Sequence, residues 1–438
     1  MKTGTSARPG RERAARFLAA TLVCAAPLPA LANGLRLASQ DGFATARGEA
    51  FVATADNPAA VYYNPAGITQ LEGSNFRGGI YGIYFDPTYR PPDGALNSGN
   101  TYHIDNKLAA APNFFCTQAL KNSPLSFGLG VYAPYGGSVS WPQDTGFRAV
   151  ALESSLQYVT LNPVMALKLA PGLSIGGGVM VNYANLELMQ GLRRFENPVL
   201  TDFFRFAGDG WSVGYNLGLL WQPHEKVAFG ASFRSTAAVS FSGQTEFERR
   251  VQIPETHLSA QADFRFPLTA VLGISYRPTP KWNLEFNADY TDWSSFGSAT
   301  IHQAAPASGW PPYLNQWPQD IPVMLDWQPS WMYEFGVTRY FDNGWHVSAG
   351  YVFNENSVPD GYYLPTTADL DRHFFSVGVG RKGRRFDFDF AYQFGYGQDR
   401  TVTGSRPPSQ PVPTVDRLAD GTYDFISHAV LVTVGMHF

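Results

Sequence analysis

The chain has 438 residues and a formal net charge of −4; only 16% of its residues are charged, while 15% are aromatic and 43 are glycine. Average soluble domains carry roughly 25% charged residues, so two or three ordinary soluble domains are not expected. Mean hydropathy is nevertheless slightly negative, and no mature stretch approaches the ~18 uninterrupted apolar residues that a spanning helix needs. The acidic balance, with no basic block, disfavours nucleic-acid binding. Cys24 and Cys116 are the only cysteines, too few for a disulfide framework or a metal cluster. What fits is a β-rich chain whose apolar residues alternate with polar ones.

Residues 1–32 read as an export signal. Lys2, Arg8, Arg11, Arg13 and Arg16 precede the apolar run Phe17–Ala26, and Ala30-Leu31-Ala32 supplies the small-x-small cleavage site. A lipoprotein is disfavoured because bulky Val23 precedes Cys24. Cleavage before Asn33 removes five basic residues and the acidic Glu12, so the mature chain is more acidic than the whole and Cys116 is left alone.

Residues 33–72 do not alternate. They are rich in Ala, Gly and small polar residues and contain two Asn-Pro-Ala triplets, Asn57-Pro58-Ala59 and Asn64-Pro65-Ala66, the second followed by Gly67. Asn-Pro starts turns, and proline suits the first turn of a helix. Short helices ahead of a barrel could hang outside it or fill it; small residues suit close packing against a wall, which favours a plug.

From residue 73 to 438 the period is two, the mark of half-buried strands. Phe386, Phe388 and Phe390 alternate with Asp387 and Asp389; Trp282, Leu284, Phe286 and Tyr290 alternate with Asn283, Glu285, Asn287 and Asp289. Carboxylates on one face and aromatics on the other fit a polar lumen inside and lipid outside. Tight turns near Leu120–Pro124, Ala170–Gly172, Gln222–Lys226, Arg277–Lys281, Asp342–Gly344 and Lys382–Arg384 alternate with long segments near 91–103, 136–148, 190–210, 243–261, 297–330, 355–372 and 397–425. That alternation is expected of an outer-membrane barrel and implies about fourteen antiparallel strands. The fold class is therefore all-β: a fourteen-stranded transmembrane barrel with a short helical N-terminal hatch. No repeat of a β-propeller's length is present.

The run Ala55-Asp56-Asn57-Pro58-Ala59-Ala60-Val61-Tyr62-Tyr63-Asn64-Pro65-Ala66-Gly67 resembles the plug motif of the long-chain fatty acid transporter family of Gram-negative outer membranes, which includes channels for aromatic hydrocarbons. Phe127–Gly136, Tyr290–Phe296 and Asp369–Phe374 extend the resemblance over nearly the whole mature chain in order. The terminal Phe438 looks like the signal read by the barrel insertion machinery. The resemblance implies a hatch built on Asn57, Pro58, Ala59, Asn64, Pro65, Ala66 and Gly67. It also implies passive uptake of hydrophobic molecules with lateral release into the outer-membrane lipid through a kinked third strand at Ala133, Pro134, Tyr135 and Gly136. Physically, an apolar cargo gains about 25 cal/mol for each Å² kept from water by leaving directly into lipid. A closed ladder forbids that exit, and Pro134 cannot complete a ladder bond; it could instead simply end its strand at the rim, and Pro112 and Pro163 are further interruptions.

Phe203, Phe204 and Phe206, with Phe195, fall in the 190–210 segment, expected to be a water-facing loop that either captures hydrophobic ligand or packs shut. A carboxylate in an apolar pocket needs a cationic or hydrogen-bonding partner. Asn185 and Gln328 stand where fatty-acid-transporting relatives have basic residues, which leaves Arg148 and Arg234, with Arg339 and Arg372, as substitutes. A fatty acid and a neutral hydrocarbon are both open as substrates.

Gly378–Gly383 satisfies a dinucleotide fingerprint but lies between two strands with no helix to receive a phosphate. No nucleophile elbow and no metal-ligand histidine spacing occur. No catalytic residue, metal or cofactor is expected, and nucleic acid is not a partner. A structural or adhesive barrel is the alternative, and an outer-membrane lipid hydrolase a weaker one.

Overall fold

The computed structural model describes residues 34–95, 97–191, 203–248, 257–305, 319–406 and 418–438; residues 1–32, expected to be an export signal, Asn33 and Phe195 lie outside them. Fourteen wall strands follow in chain order. They are β1 (Ser74–Arg90), β2 (Tyr102–His103 and Leu108–Ala119), β3 (Leu125–Tyr132 and Gly136–Ser140), β4 (Glu153–Ala170) and β5 (Leu173–Gly191). Next come β6 (Phe203–His224), β7 (Val227–Arg234 and Ala237–Glu248), β8 (His257–Phe266 and Thr269–Tyr276) and β9 (Trp282–Thr291 and Ser298–Gln303). The last are β10 (Asp320–Met324 and Ser330–Tyr340), β11 (Trp345–Asn354), β12 (Arg372–Lys382), β13 (Phe386–Val402) and β14 (Gly421–His437). Each pairs antiparallel with its neighbours, and β1 closes on β14 from Asn75↔His437 to Arg90↔Thr422. Closure removes the unpaired edges that an open sheet would present.

The tight turns lie at one rim, where the chain reverses within a few residues. At Asn343-Gly344 the backbone needs φ = 84° at Gly344, a value that costs glycine nothing. The long connections lie at the other rim and are shorter than the sequence suggested. Residues 136–140, 203–210, 243–248, 298–303 and 320–324 belong to strands, because ladder pairing continues past the apolar belt into the region beyond it.

The two faces of the wall separate as the alternation requires. Phe386, Phe388 and Phe390 are exposed outward, while Asp387 and Asp389 are buried in the lumen. The outward belt of Phe, Leu, Val, Ile and Trp suits hydrocarbon, since the closed sheet satisfies most of the spanning backbone groups.

The lumen is filled by residues 34–72, which form α1 (Gly42–Ala46), α2 (Ala60–Tyr63) and a 3₁₀ turn at Pro65–Gln70. Such short helices are not stable alone and depend on their caps and the wall. The Asp41 carboxylate accepts from the N–H groups of Phe43 and Ala44 to start α1. In both triplets the asparagine Oδ1 accepts from the N–H two residues on: Ala59 for Asn57, at 2.8 Å, and Ala66 for Asn64, at 3.2 Å. Asn57 Nδ2 donates to Asp41 and Asn64 Nδ2 to the carbonyls of Val52 and, on the wall, Leu219. Each triplet thus caps a turn and ties it to a second segment.

Candidate functional site

Charge holds the hatch in place. Arg77 on β1 binds Asp41 of the hatch and Asp389 of β13, the latter at 2.6 Å. Glu285 on β9 receives Arg47 at 3.4 Å, the N–H of Ala53 at 2.8 Å and the Thr54 hydroxyl. Arg36 donates twice to Asp289 on β9, at 2.7 and 2.6 Å, and once to Thr291. Of the inward carboxylates read from the alternation, Glu285 and Asp289 are therefore sockets for hatch cations, while Asp387 and Asp389 pair with Arg77, His346 and His437 of the wall. Burying an ion pair is costly unless further hydrogen bonds surround it; Arg36 and Glu285 have them, while Nε and Nη1 of Arg47 lack a partner among the described residues.

The third strand breaks between Tyr132 and Gly136. Its first piece pairs with β2 only up to Phe114↔Val131, so Leu108–Asn113 of β2 pair with β1 alone. The second piece pairs only with β4. At the break, the backbone freed by Pro134 is taken up by the hatch: Leu37 N–H donates to the Pro134 carbonyl and Gly136 N–H to the Leu35 carbonyl, both at 2.9 Å. Gln40 Nε2 donates to the Ala133 carbonyl at 2.8 Å. Arg36 thus bridges the wall through its backbone opposite Tyr135 and through its side chain at Asp289. Pro163 marks a lesser irregularity, where the β4–β5 ladder skips from Leu161↔Val181 to Val164↔Gly178, and Pro112 sits inside the β1–β2 ladder opposite Ile80.

Above the hatch lies an apolar cavity of about 100 Å³. Leu156, Leu186, Phe204, Phe264, Phe296 and Trp327 are among its lining residues, and among the described residues no Lys, Arg or His is. The one ionisable residue in that described lining is Glu153. Tyr135 of the break stacks edge-on with Tyr158, 5.2 Å between ring centres, and packs on Phe266 at 5.1 Å. Its hydroxyl donates to the Pro267 carbonyl at 3.1 Å. Phe266 and Leu35 belong both to this aromatic cluster and to the cavity lining.

Below that cluster a smaller, polar void is lined by Arg36, Glu49, Tyr62, Arg234, Asp289 and Glu334, among others. The Arg234 guanidinium stacks 3.9 Å from the centre of the Tyr62 ring. It is buried, and its Nε and Nη2 have no hydrogen-bond acceptor among the described residues. Glu49, held by the hydroxyls of Tyr63 at 2.7 Å and Ser39 at 2.8 Å, is buried with no cation against it among the described residues. Burial, opposed by those two hydrogen bonds and aided by nearby Asp41, pushes its pKa up to about 7.

The residues singled out in the sequence fall into two groups. Ala133–Gly136, Phe204, Arg234 and the two triplets converge on the lumen. Asn185 does not: it sits on the outward face of β5, between inward Ala184 and Leu186, because period two turns it away from the cavity. Gln328 is exposed where β10 is interrupted, its Nε2 on the Asp326 carbonyl. Arg148 is buried beyond β3 with Nε on Gln143, and its carbonyl accepts from Gly191. The aromatics expected in a water-facing loop are in β6 instead: Phe204 and Phe206 point inward and are buried, and Phe203 points outward. Sequence reading missed Arg36, a lone cation among small residues, and Trp293 and Trp327, buried at strand breaks.

A profile of the family described as outer membrane protein transport protein (OMPP1/FadL/TodX) matches residues 22–438. A long-chain fatty acid transport protein of Salmonella typhi is 22% identical over 356 residues, 75% of this chain and 78% of that one. Among solved structures, a Pseudomonas aeruginosa FadL homologue superposes with a TM-score of 0.76 at 17% identity, covering 92% of this chain and 100% of that one. The Pseudomonas putida toluene transporter TodX gives 0.68 at 14% identity, covering 94% and 99%. Identities this low show a shared fold and nothing finer. The profile match spans wall and hatch together, and the chain belongs to the OMPP1/FadL/TodX family of outer membrane protein transport proteins, in the outer membrane of a Gram-negative bacterium.

Proposed function

We propose that this protein is a passive channel for small neutral hydrophobic molecules, which collect in the apolar cavity and leave sideways into lipid at the β3 break. The observation that carries the reading is the cavity's lining among the described residues, which is mostly aromatic and aliphatic, with Glu153 as its one ionisable residue and no cation. A carboxylate placed there would have no cationic partner and a like charge close by, both unfavourable. A toluene-sized molecule needs no such partner and gains from burial alone. The gap beside Leu108–Asn113 supports a lateral exit, since no backbone ladder there has to part. The hatch segment Leu35–Leu37 stands across that gap and would have to shift for a molecule to pass. Phe438, whose N–H donates to the Ser74 carbonyl at the β1–β14 seam, fits a handle for the insertion machinery.

A second reading rests on Arg234. Its two free donors beside the path from cavity to break could take a fatty-acid carboxylate. Uptake of labelled toluene and labelled oleate by cells lacking their own fatty-acid channel separates the two. Toluene uptake indifferent to Arg234→Gln supports the first reading. Oleate uptake lost in Arg234→Gln supports the second. Neither label above empty-vector cells, with the barrel folded in the membrane, would refute both.

A further inference from the structure

The wall has another interruption, opposite in character to the one at β3. Four successive strands break at one level: β7 at Ser235-Thr236, β8 at Pro267-Leu268, β9 over Asp292–Gly297 and β10 over Leu325–Pro329. β7 and β8 break in step, so their ladder resumes from Ala237↔Phe266. β9 and β10 stay joined, as the N–H groups of Leu325 and Asp326 donate to the Gly297 carbonyl. Between β8 and β9 the ladder is lost. It runs up to Thr269↔Thr291 and returns only at Ala262↔Ile301. The excess chain on β9 coils into a 3₁₀ turn at Trp293–Ser295. Across this seam Asp292 N–H donates to the Leu268 carbonyl, 3.1 Å, and Ser295 Oγ to the Arg265 carbonyl, a long 3.4 Å.

Side chains close the seam. Phe264, Phe296 and Leu325 line the interior cavity and also line a groove on the outer face, whose other walls include Ser240, Asp263, Arg265 and Ser298. Cavity and groove are therefore separated by one layer of rings and a leucine, with no backbone ladder between. The β6–β7 ladder also skips, but there Gly210 lies directly against the Ser240 carbonyl and leaves no room.

The level of the groove indicates what reaches it. Below the breaks the outward residues are apolar: Leu272, Ile274, Trp331 and Phe335. Above them Asp263, Arg265, Ser298 and His302 face out. The groove thus opens where the apolar belt ends, at the depth of lipid headgroups, where amphipathic and small aromatic molecules gather before entering a bilayer.

We propose that the β8–β9 seam is a side entrance through which apolar or amphipathic molecules adsorbed at the outer interface reach the cavity, with Phe296 as its shutter. Entry asks only for ring rotation, whereas the β3 break is held by the hatch. Tyr135 links the two interruptions, since its hydroxyl holds the carbonyl of Pro267 at the β8 break while its backbone forms the β3 break. The proposal rests on the cavity being the ligand site.

The test uses the full chain in lipid vesicles, in a Cys116→Ala background, with N-phenyl-1-naphthylamine, which brightens on leaving water. Stopped-flow gives the entry rate and titration the equilibrium binding. Phe296→Ala is expected to speed entry several-fold. A disulfide between cysteines at Arg265 and Ser295, residues outside the cavity, is expected to slow it several-fold, leave equilibrium binding unchanged, and release the block on reduction. Should the bridge fail to form, Ser298→Trp, which fills the outer groove, takes its place with the same expected slowing. Entry rates equal to wild type in all variants, with binding retained, would overturn the side entrance and leave the channel reading standing. No binding by the wild type would overturn the cavity reading and the entrance with it.

Discussion

At the scale of single residues, buried charge decides most. Among the described residues Arg36 is the one cation bonded to Asp289, and both are buried. Removing one partner of such a pair costs about 3–5 kcal/mol, because the other charge stays behind. Arg36→Ala should therefore free the Leu35–Leu37 segment from the β3 break, seen as faster amide exchange at Leu37 and Gly136. The double variant Arg36→Met/Asp289→Leu should restore much of the stability. Glu49 gives a pH dependence with a definite sign. Its pKa rises from 4.5 to about 7 on folding, so the folded state holds a proton that the unfolded chain releases first. Stability then falls as pH rises from about 4.5 to about 7, with a slope of at most roughly 1.4 kcal/mol per pH unit, and levels off above. Glu49→Gln should flatten that slope in thermal unfolding measured between pH 4 and 8.

At the scale of elements, the hatch and the wall are fitted to each other by small residues. A Cβ on Gly230 of β7 would overlap the carbonyl of Val52 and crowd Ala53. Gly230→Val should leave the barrel folded, as judged by its gel shift on heating, yet expose the Val52–Ala53 segment to protease. The count of strands and the tight turns were legible because Asn-Gly and Pro-rich turns punctuate a strict period of two. The capping role of Asn57 and Asn64 was legible for the same local reason. The extent of β5 and β6 was not: Gly191 pairs with Phe203, a register fixed by a partner strand rather than by local composition. The breaks in β7 to β10 were equally hidden, apart from Pro267, since they depend on four strands aligning at one level.

At the scale of the whole molecule, the lumen is an electrostatic lock between an acidic wall and a hatch that brings Arg36 and Arg47. Glu285, Asp289, Asp387 and Asp389 point inward, and without the hatch they would face water. Deleting residues 34–70 should leave a barrel whose lumen hydrates, appearing in planar bilayers as a steady pore selective for cations. A lumen that stays closed to ions after deletion would show that the loops, not the hatch, seal it. The inward carboxylates of that lumen were legible in the alternation; their partners were not, because each lies more than two hundred positions away for Arg36 and Arg47.

The seat of Arg36 also constrains the order of assembly. The residue lies near the start of the mature chain, yet its side chain docks 253 positions further on, and its backbone docks on the reversal at Tyr135. Neither socket exists until β3 and β9 are in the wall. A segment made early is therefore among the last to find its place: the cylinder must be largely built before its contents can be stowed. A chain stalled before β9 would carry its stopper loose, and its unpaired arginines would mark it as unfinished.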